Sequence, residues 1–166
     1  EAKPIKDSDH LNVVKLDDGG TTGGVERDEN GYVQVVCGAP NVHTGITVVW
    51  LPPGSTVPET HGDKEPFVLS ARNLRGVMSN GMIASSRELG LSDDHEGILE
   101  IDIDVAPGVP LTSIYGLNDV LLDIENKSLT HRPDTFGVIG FAREVAAIQG
   151  EQFTTPEWLR VDNAQH

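Results

Sequence analysis

Six histidines, at 10, 43, 61, 95, 131 and 166, and one cysteine, Cys37, are the residues of this 166-residue chain best able to ligate a metal, relay a proton or attack a carbonyl. Their spacing argues against all three. No two histidines stand four apart as on a zinc-binding helix, and Cys37 has no second cysteine with which to build a thiolate site or an intrachain disulfide. No serine occupies a nucleophile-elbow frame, and no His and Asp are placed to complete a triad. In "LEIDIDV", residues 99–105, Glu100, Asp102 and Asp104 alternate with Leu99, Ile101, Ile103 and Val105. Alternate residues on a strand lie about 7 Å apart, so the pattern predicts a strand with one wet face and one core face rather than an acid/base pair. The glycine-rich "DDGGTTGGVERDENG" lacks the lysine and the strand-to-helix setting of a phosphate loop, and reads as an exposed, mobile connection. No self-contained catalysis is expected. The histidines read as surface or structural residues, and Cys37, inside the apolar "VQVVCG", as a small buried thiol.

Binding is the chemistry left, and elements must position it. "LNVVKL" (11–16), "GYVQVVC" (31–37) and "TVVWL" (47–51) are rich in β-branched and aromatic residues between Gly, Pro, Asn and Asp, and read as strands. Three prolines, Pro52, Pro53 and Pro58, fix the course of the connection "WLPPGSTVPETHGD". "LRGVMSNGMIASSRELGL", from Leu74 to Leu91, frames a Met-Ser-Asn triplet with Gly76 and Gly81, which implies a turning backbone. It could serve a close approach to another chain or ligand, or simply a barrel corner. Ser85 and Glu88 form the Ser-x-x-Glu capping arrangement and Gly90 suits the stop, so one helical turn is expected there. Short strands with a single small helix favour a Greek-key barrel over a parallel α/β sheet.

After about Asn118 the pattern changes. "NDVLLDIE" reads as one more strand, and "TFGVIGFAREVAAI" as a helix whose Val138, Phe141, Val145 and Ile148 recur at helical spacing beside Ile139, Ala142 and Ala146. So wide an apolar face predicts a mostly buried helix. Pro133 and Asp134 suit its start and Gly150 its end. The tail from 151 to 166 shows no strong period. The expected organisation is a domain over 1–112 followed by a small α/β segment over 118–166.

Charge narrows the partners. Net charge is −14, with 8 basic against 18 acidic residues up to Thr112 and 4 against 8 beyond it. Polyanion binding draws on counterion release by Lys and Arg, so DNA and acidic membrane surfaces are not expected partners. No run approaches the roughly 18 apolar residues of a membrane span, and the first ten residues have no signal-peptide pattern. With a lone cysteine, this fits the cytoplasm. The chain lacks an initiator methionine and is read as a fragment.

Two blocks of motifs carry a family resemblance. "VVCGAPNVHTGITVVWLPPGSTVP" (35–58), followed by "ARNLRGVMSNGMIASSRELGL" (71–91), resembles the tRNA-binding, EMAP-type oligonucleotide-barrel (OB-fold) domain of bacterial phenylalanyl-tRNA synthetase β subunits. "LLDIENKSLTHRPDTFGVIGFAREVAAI" (121–148) is similar to the segment after that barrel, and together the blocks cover the chain from about Ser8 to Ile148. One departure is visible. The family usually opens the barrel with His-Pro-x-Ala-Asp-x-Leu, where this chain has "IKDSDHL" and keeps only the Asp9 to Leu11 end.

The resemblance implies a mainly β fold, a five-stranded Greek-key OB barrel with a short helix. It implies a β-subunit fragment of a class II ligase that attaches phenylalanine to tRNA using ATP, in an α2β2 assembly. The ATP, Mg and phenylalanine site would lie on the α subunit and editing on later β domains, so this fragment would itself hold no cofactor and be non-catalytic. For RNA contact it points to Asn41, Lys64, Arg72, Arg75, Ser79, Asn80 and Arg87. Arg72 and Arg75 flank a turn and could pair with phosphate; Asn41 and Ser79 come from the two motif turns. Local carboxylates compete for Arg75 and Arg87, Gly38, Pro40, Gly76 and Gly81 read as backbone-shaping, and Arg132 with Asp134 as a pair at the helix start or a subunit contact. Two other readings stand beside this one: a freestanding tRNA-binding module, and a protein-interaction scaffold, which the acidity favours.

Overall fold

The computed structural model describes residues 1–5, 8 and 10–160; Asp9 and His166 lie outside that set. The chain divides into two compact units, Glu1–Asp119 and Val120–His166.

In the first unit β1 (Ala2–Pro4), β2 (Asn12–Leu16) and β3 (Val33–Cys37) form an antiparallel sheet in that order. Val14 stands opposite Val35 across β2 and β3. The run of valines makes β3 the deepest strand: Val33 and Val35 are fully buried, and Val36 and Cys37 nearly so. They meet Val14, Ile83 and Ile98 in the core, with Leu16, Val48 and Trp50 packed around. Burial pushes the Cys37 thiol above its ordinary pKa, which leaves it a poor nucleophile.

β4 (Trp50–Leu51) pairs with β7 (Met82–Ile83), and β5 (Ala71–Leu74) with β6 (Val77–Asn80), both antiparallel. The unit is therefore mainly β, built of small antiparallel sheets, with a short helix, α1 (Leu111–Ile114), and a 3-10 turn over Pro58–Thr60 among its described residues. No ladder among the described residues closes these sheets into one barrel. Where β3 and β6 lie together, side chains join them. Ser79 Oγ accepts from the Val36 amide (3.0 Å), Gln34 Nε2 donates to the Met78 carbonyl (2.9 Å), and Asn80 Nδ2 donates to the Gln34 carbonyl (3.3 Å).

Three expectations need correction. "TVVWL" is strand only at its end, with Val48 bridged singly to Glu100. "LEIDIDV" is not a strand beyond that bridge. Ile101 donates to the Thr47 carbonyl, after which the chain leaves the sheet and Ile103 is 54% exposed, because no partner strand continues the ladder. The glycine-rich connection is anchored rather than free. Asp18 is buried, and its carboxylate takes both Arg27 terminal nitrogens (2.6 and 2.9 Å) and the amides of Gly20 and Thr22. The expected helical turn is present: Ser85 and Glu88 exchange bonds between side chain and backbone, the Leu89 amide donates to the Ser85 carbonyl, and Gly90 ends the turn at φ +70°.

The second unit contains α2 (Val138–Gln149), ended by Gly150 at φ +72° with its amide on the Ala146 and Ala147 carbonyls. Arg132 pairs with Asp134 (2.7 Å) at the helix start and with Glu144 (2.8 Å). The predicted strand over "NDVLLDIE" is absent; those residues are irregular, and Leu121 is 90% exposed. Nor is α2 mostly buried. None of its residues is buried, because the other regular elements among this unit's described residues are three-residue 3-10 turns, too short to cover the apolar face.

Candidate RNA-binding hairpin

The seven residues singled out from the sequence separate into an interior set and a surface set. Asn41 is a clamp. Its side-chain oxygen accepts from the Ile98 amide (3.0 Å), and its nitrogen donates to the Ile98 carbonyl (3.0 Å) and to Glu100 Oε1 (2.7 Å), tying the Cys-Gly-Ala-Pro-Asn turn to the chain after His95. Ser79 and Asn80 are buried in the joint between β6 and β3, and Ser79 also donates to the Gly81 carbonyl (3.1 Å). Ser79→Ala leaves the buried Val36 amide without its acceptor. It is expected to cost about 1–3 kcal/mol of stability, read as a lower urea midpoint at unchanged slope.

Arg87 is on the surface but engaged: Nε meets Glu59 Oε1 at 2.7 Å, and that carboxylate raises the guanidinium pKa. It borders an open cleft of about 550 Å³ whose lining includes Glu59, Glu88 and Glu96. Such a cleft has the wrong sign for a phosphate chain. Among the described residues no three His, Cys, Asp or Glu side chains come together to hold a metal, and no helix is long and apolar enough to cross a membrane.

Arg72, Arg75 and Lys64 remain exposed. Arg72 and Arg75 ride one hairpin. β5 and β6 are joined by the two residues Arg75 and Gly76, at φ +52° and +84°, the left-handed pair that a tight hairpin turn demands. Asn73 Oδ1 accepts from the Gly76 amide (2.8 Å) and fixes the turn. All four residues of β5 are exposed. The Arg72 guanidinium lies 5.6 Å from the centre of the Phe67 ring, and its Nε donates to Ser70 Oγ (3.2 Å). Phe67 escaped the reading of the sequence. The available signal was an aromatic residue beside arginines in a stretch, between Glu65 and Glu88, with no acidic residue.

A compact β unit that presents two arginines on one hairpin, with an aromatic ring from the preceding segment against one of them, has the makings of a nucleic-acid-binding module. The chain belongs to the family described as "Putative tRNA binding domain", whose profile matches residues 1–110. It is similar to the phenylalanine–tRNA ligase beta subunit of Rhodospirillum rubrum, 40% identical over 147 residues, which cover 89% of this chain and 16% of that protein. The same subunit of Cereibacter sphaeroides is 41% identical over 147 residues, 89% of this chain and 17% of the relative. That of Bordetella pertussis is 38% identical over 153 residues, 92% and 17%. An alignment of 147 residues outruns the first unit, so the likeness continues into the second. The chain thus spans about one sixth of the length of these relatives.

Proposed function

We propose that this chain is the accessory tRNA-binding part of a phenylalanine–tRNA ligase β subunit, with residues 1–112 as an OB-type barrel domain and 118–166 as the start of the adjoining domain. The observation that carries the reading is the family match over 1–110 together with relatives of one name aligned across both units. In this reading the Ser79, Gln34 and Asn80 bonds stand in for the backbone ladder that would close a five-stranded Greek-key barrel. Attachment of phenylalanine to tRNA, with ATP and Mg, belongs to the α subunit of an α2β2 assembly in the cytoplasm. The chain's share is to hold tRNA and to join the assembly. Arg72 and Arg75 on the hairpin, and Lys64 outside it, would meet phosphate, while Asn41, Ser79 and Asn80 shape the surface from within.

The test is a titration of the chain into labelled phenylalanine tRNA at about 50 and 200 mM salt. Two arginines contacting phosphate give a log–log salt slope near −2, that is, a weakening of roughly tenfold across this range. Arg72→Glu with Arg75→Glu is expected to abolish the binding and its salt dependence. No binding at the lower salt would overturn the RNA reading in favour of a scaffold.

A further inference from the structure

The β5–β6 hairpin and the segment leading into it have features that phosphate contact does not use. Phe67 is held in place by the backbone: its carbonyl accepts from the Val57 amide (2.9 Å), and its amide donates to Thr60 Oγ1 (2.8 Å). Two residues on, the Leu69 amide donates to the Ser55 carbonyl (2.8 Å), so the ring sits on an extended segment anchored at both ends. Phe67 is nevertheless 44% exposed, and Arg72 lies against its ring. Across the hairpin, Met78 is opposite Asn73 and is 37% exposed. A rigid aromatic ring beside a planar cation, on a turn fixed by Asn73, is a surface with its shape set before any ligand arrives.

Resting on the tRNA-binding reading, we propose that this hairpin takes an unpaired nucleotide, its base stacked on Phe67 and the Arg72 guanidinium and its phosphate paired with arginine. Sequence charge supports a polyanion here and not elsewhere. In a chain of net charge −14, the stretch between Glu65 and Glu88 holds no carboxylate and carries Arg72 and Arg75 on the hairpin, with Arg87 at its end paired to Glu59. Stacking selects single strands, because in a duplex the faces of the bases are already covered by their neighbours. The chemical class is therefore single-stranded RNA, as in a loop or the free end of a folded RNA. Helical RNA would meet only the arginines.

The experiment compares three probes by fluorescence anisotropy at low salt: a ten-nucleotide oligoadenylate, a ten-base-pair RNA duplex and folded phenylalanine tRNA. The expected result is tighter binding of the oligoadenylate than of the duplex. Phe67→Ala should weaken oligoadenylate binding about tenfold while leaving the duplex unchanged. Phe67→Leu, which keeps an apolar side chain on the same strand, should show the same loss, and Phe67→Trp should retain binding. Equal weakening of duplex and oligoadenylate, or undiminished oligoadenylate binding in the alanine and leucine variants, would overturn the stacking site while tRNA binding by the parent chain still stood. Failure of the parent chain to bind any of the three probes would overturn the tRNA reading and the stacking site with it.

Discussion

Gly81→Ala is expected to destabilise the first unit by about 2–4 kcal/mol, more than any surface substitution on the same hairpin. Gly81 is the single residue between β6, which pairs with β5, and β7, which pairs with β4. The chain therefore changes sheets within one residue, and it does so at φ +84°, where an L side chain is strained. Strand β4 passes directly beneath. A Cβ at position 81 would overlap the Leu51 carbonyl oxygen and stand 3.0 Å from the Trp50 ring nitrogen, which itself donates to the Asn80 carbonyl (2.8 Å). Neither obstacle is a flexible side-chain end, so relief requires the strands to part. Urea unfolding followed by Trp50 fluorescence reads the loss; Gly76→Ala on the same chain, strained at its φ of +84° but with open space around it, should cost about 1 kcal/mol.

Asp18→Asn is the second large effect, expected at about 2–3 kcal/mol near pH 7. The Arg27 guanidinium, helped by the Thr22 and Gly20 amides, holds the Asp18 carboxyl well below the ordinary carboxylate range. A carboxyl whose pKa falls on folding adds stability above its unfolded pKa and loses it as pH drops through the folded one. The parent chain should therefore weaken as pH falls below about 4. The asparagine variant begins weaker and lacks that share of the acid dependence, so the gap between the two closes toward low pH. Thermal unfolding from pH 7 to pH 2.5 measures both curves. Equal slopes would show that Asp18 is not the group that titrates.

What the sequence made legible was local. The capped turn at Ser85–Gly90 and the glycine stop of α2 depend on residues three to five positions apart, so their geometry is written in short words. The valine strand β3 was equally plain. The partners of Asp18 and Ser79 were not, since Arg27 comes from beyond a loop and Val36 from another sheet. Alternation in "LEIDIDV" announced a strand, but a strand exists only where another supplies its ladder, and here the pairing ends at the Thr47 carbonyl. Periodicity likewise found α2 and misjudged its burial, because amphipathicity records which face seeks cover and not whether cover is at hand. At the candidate site the arginines were visible as charge, whereas the contact of Arg72 with the Phe67 ring arises from a bend in the chain between them that no spacing rule encodes.

The union of β3 and β6 through Ser79, Gln34 and Asn80 gives the domain a line of weakness with a known position. Backbone ladders resist separation collectively, each bond sheltering the next, whereas three side-chain links let go one at a time by rotamer change. Opening along that line would break those three bonds while every strand keeps its own ladder partner. Opening there would carry Arg72 and Arg75 with the β5–β6 hairpin while Phe67 stays with Val57 and Thr60, so the contact of ring and guanidinium reports whether the line is closed.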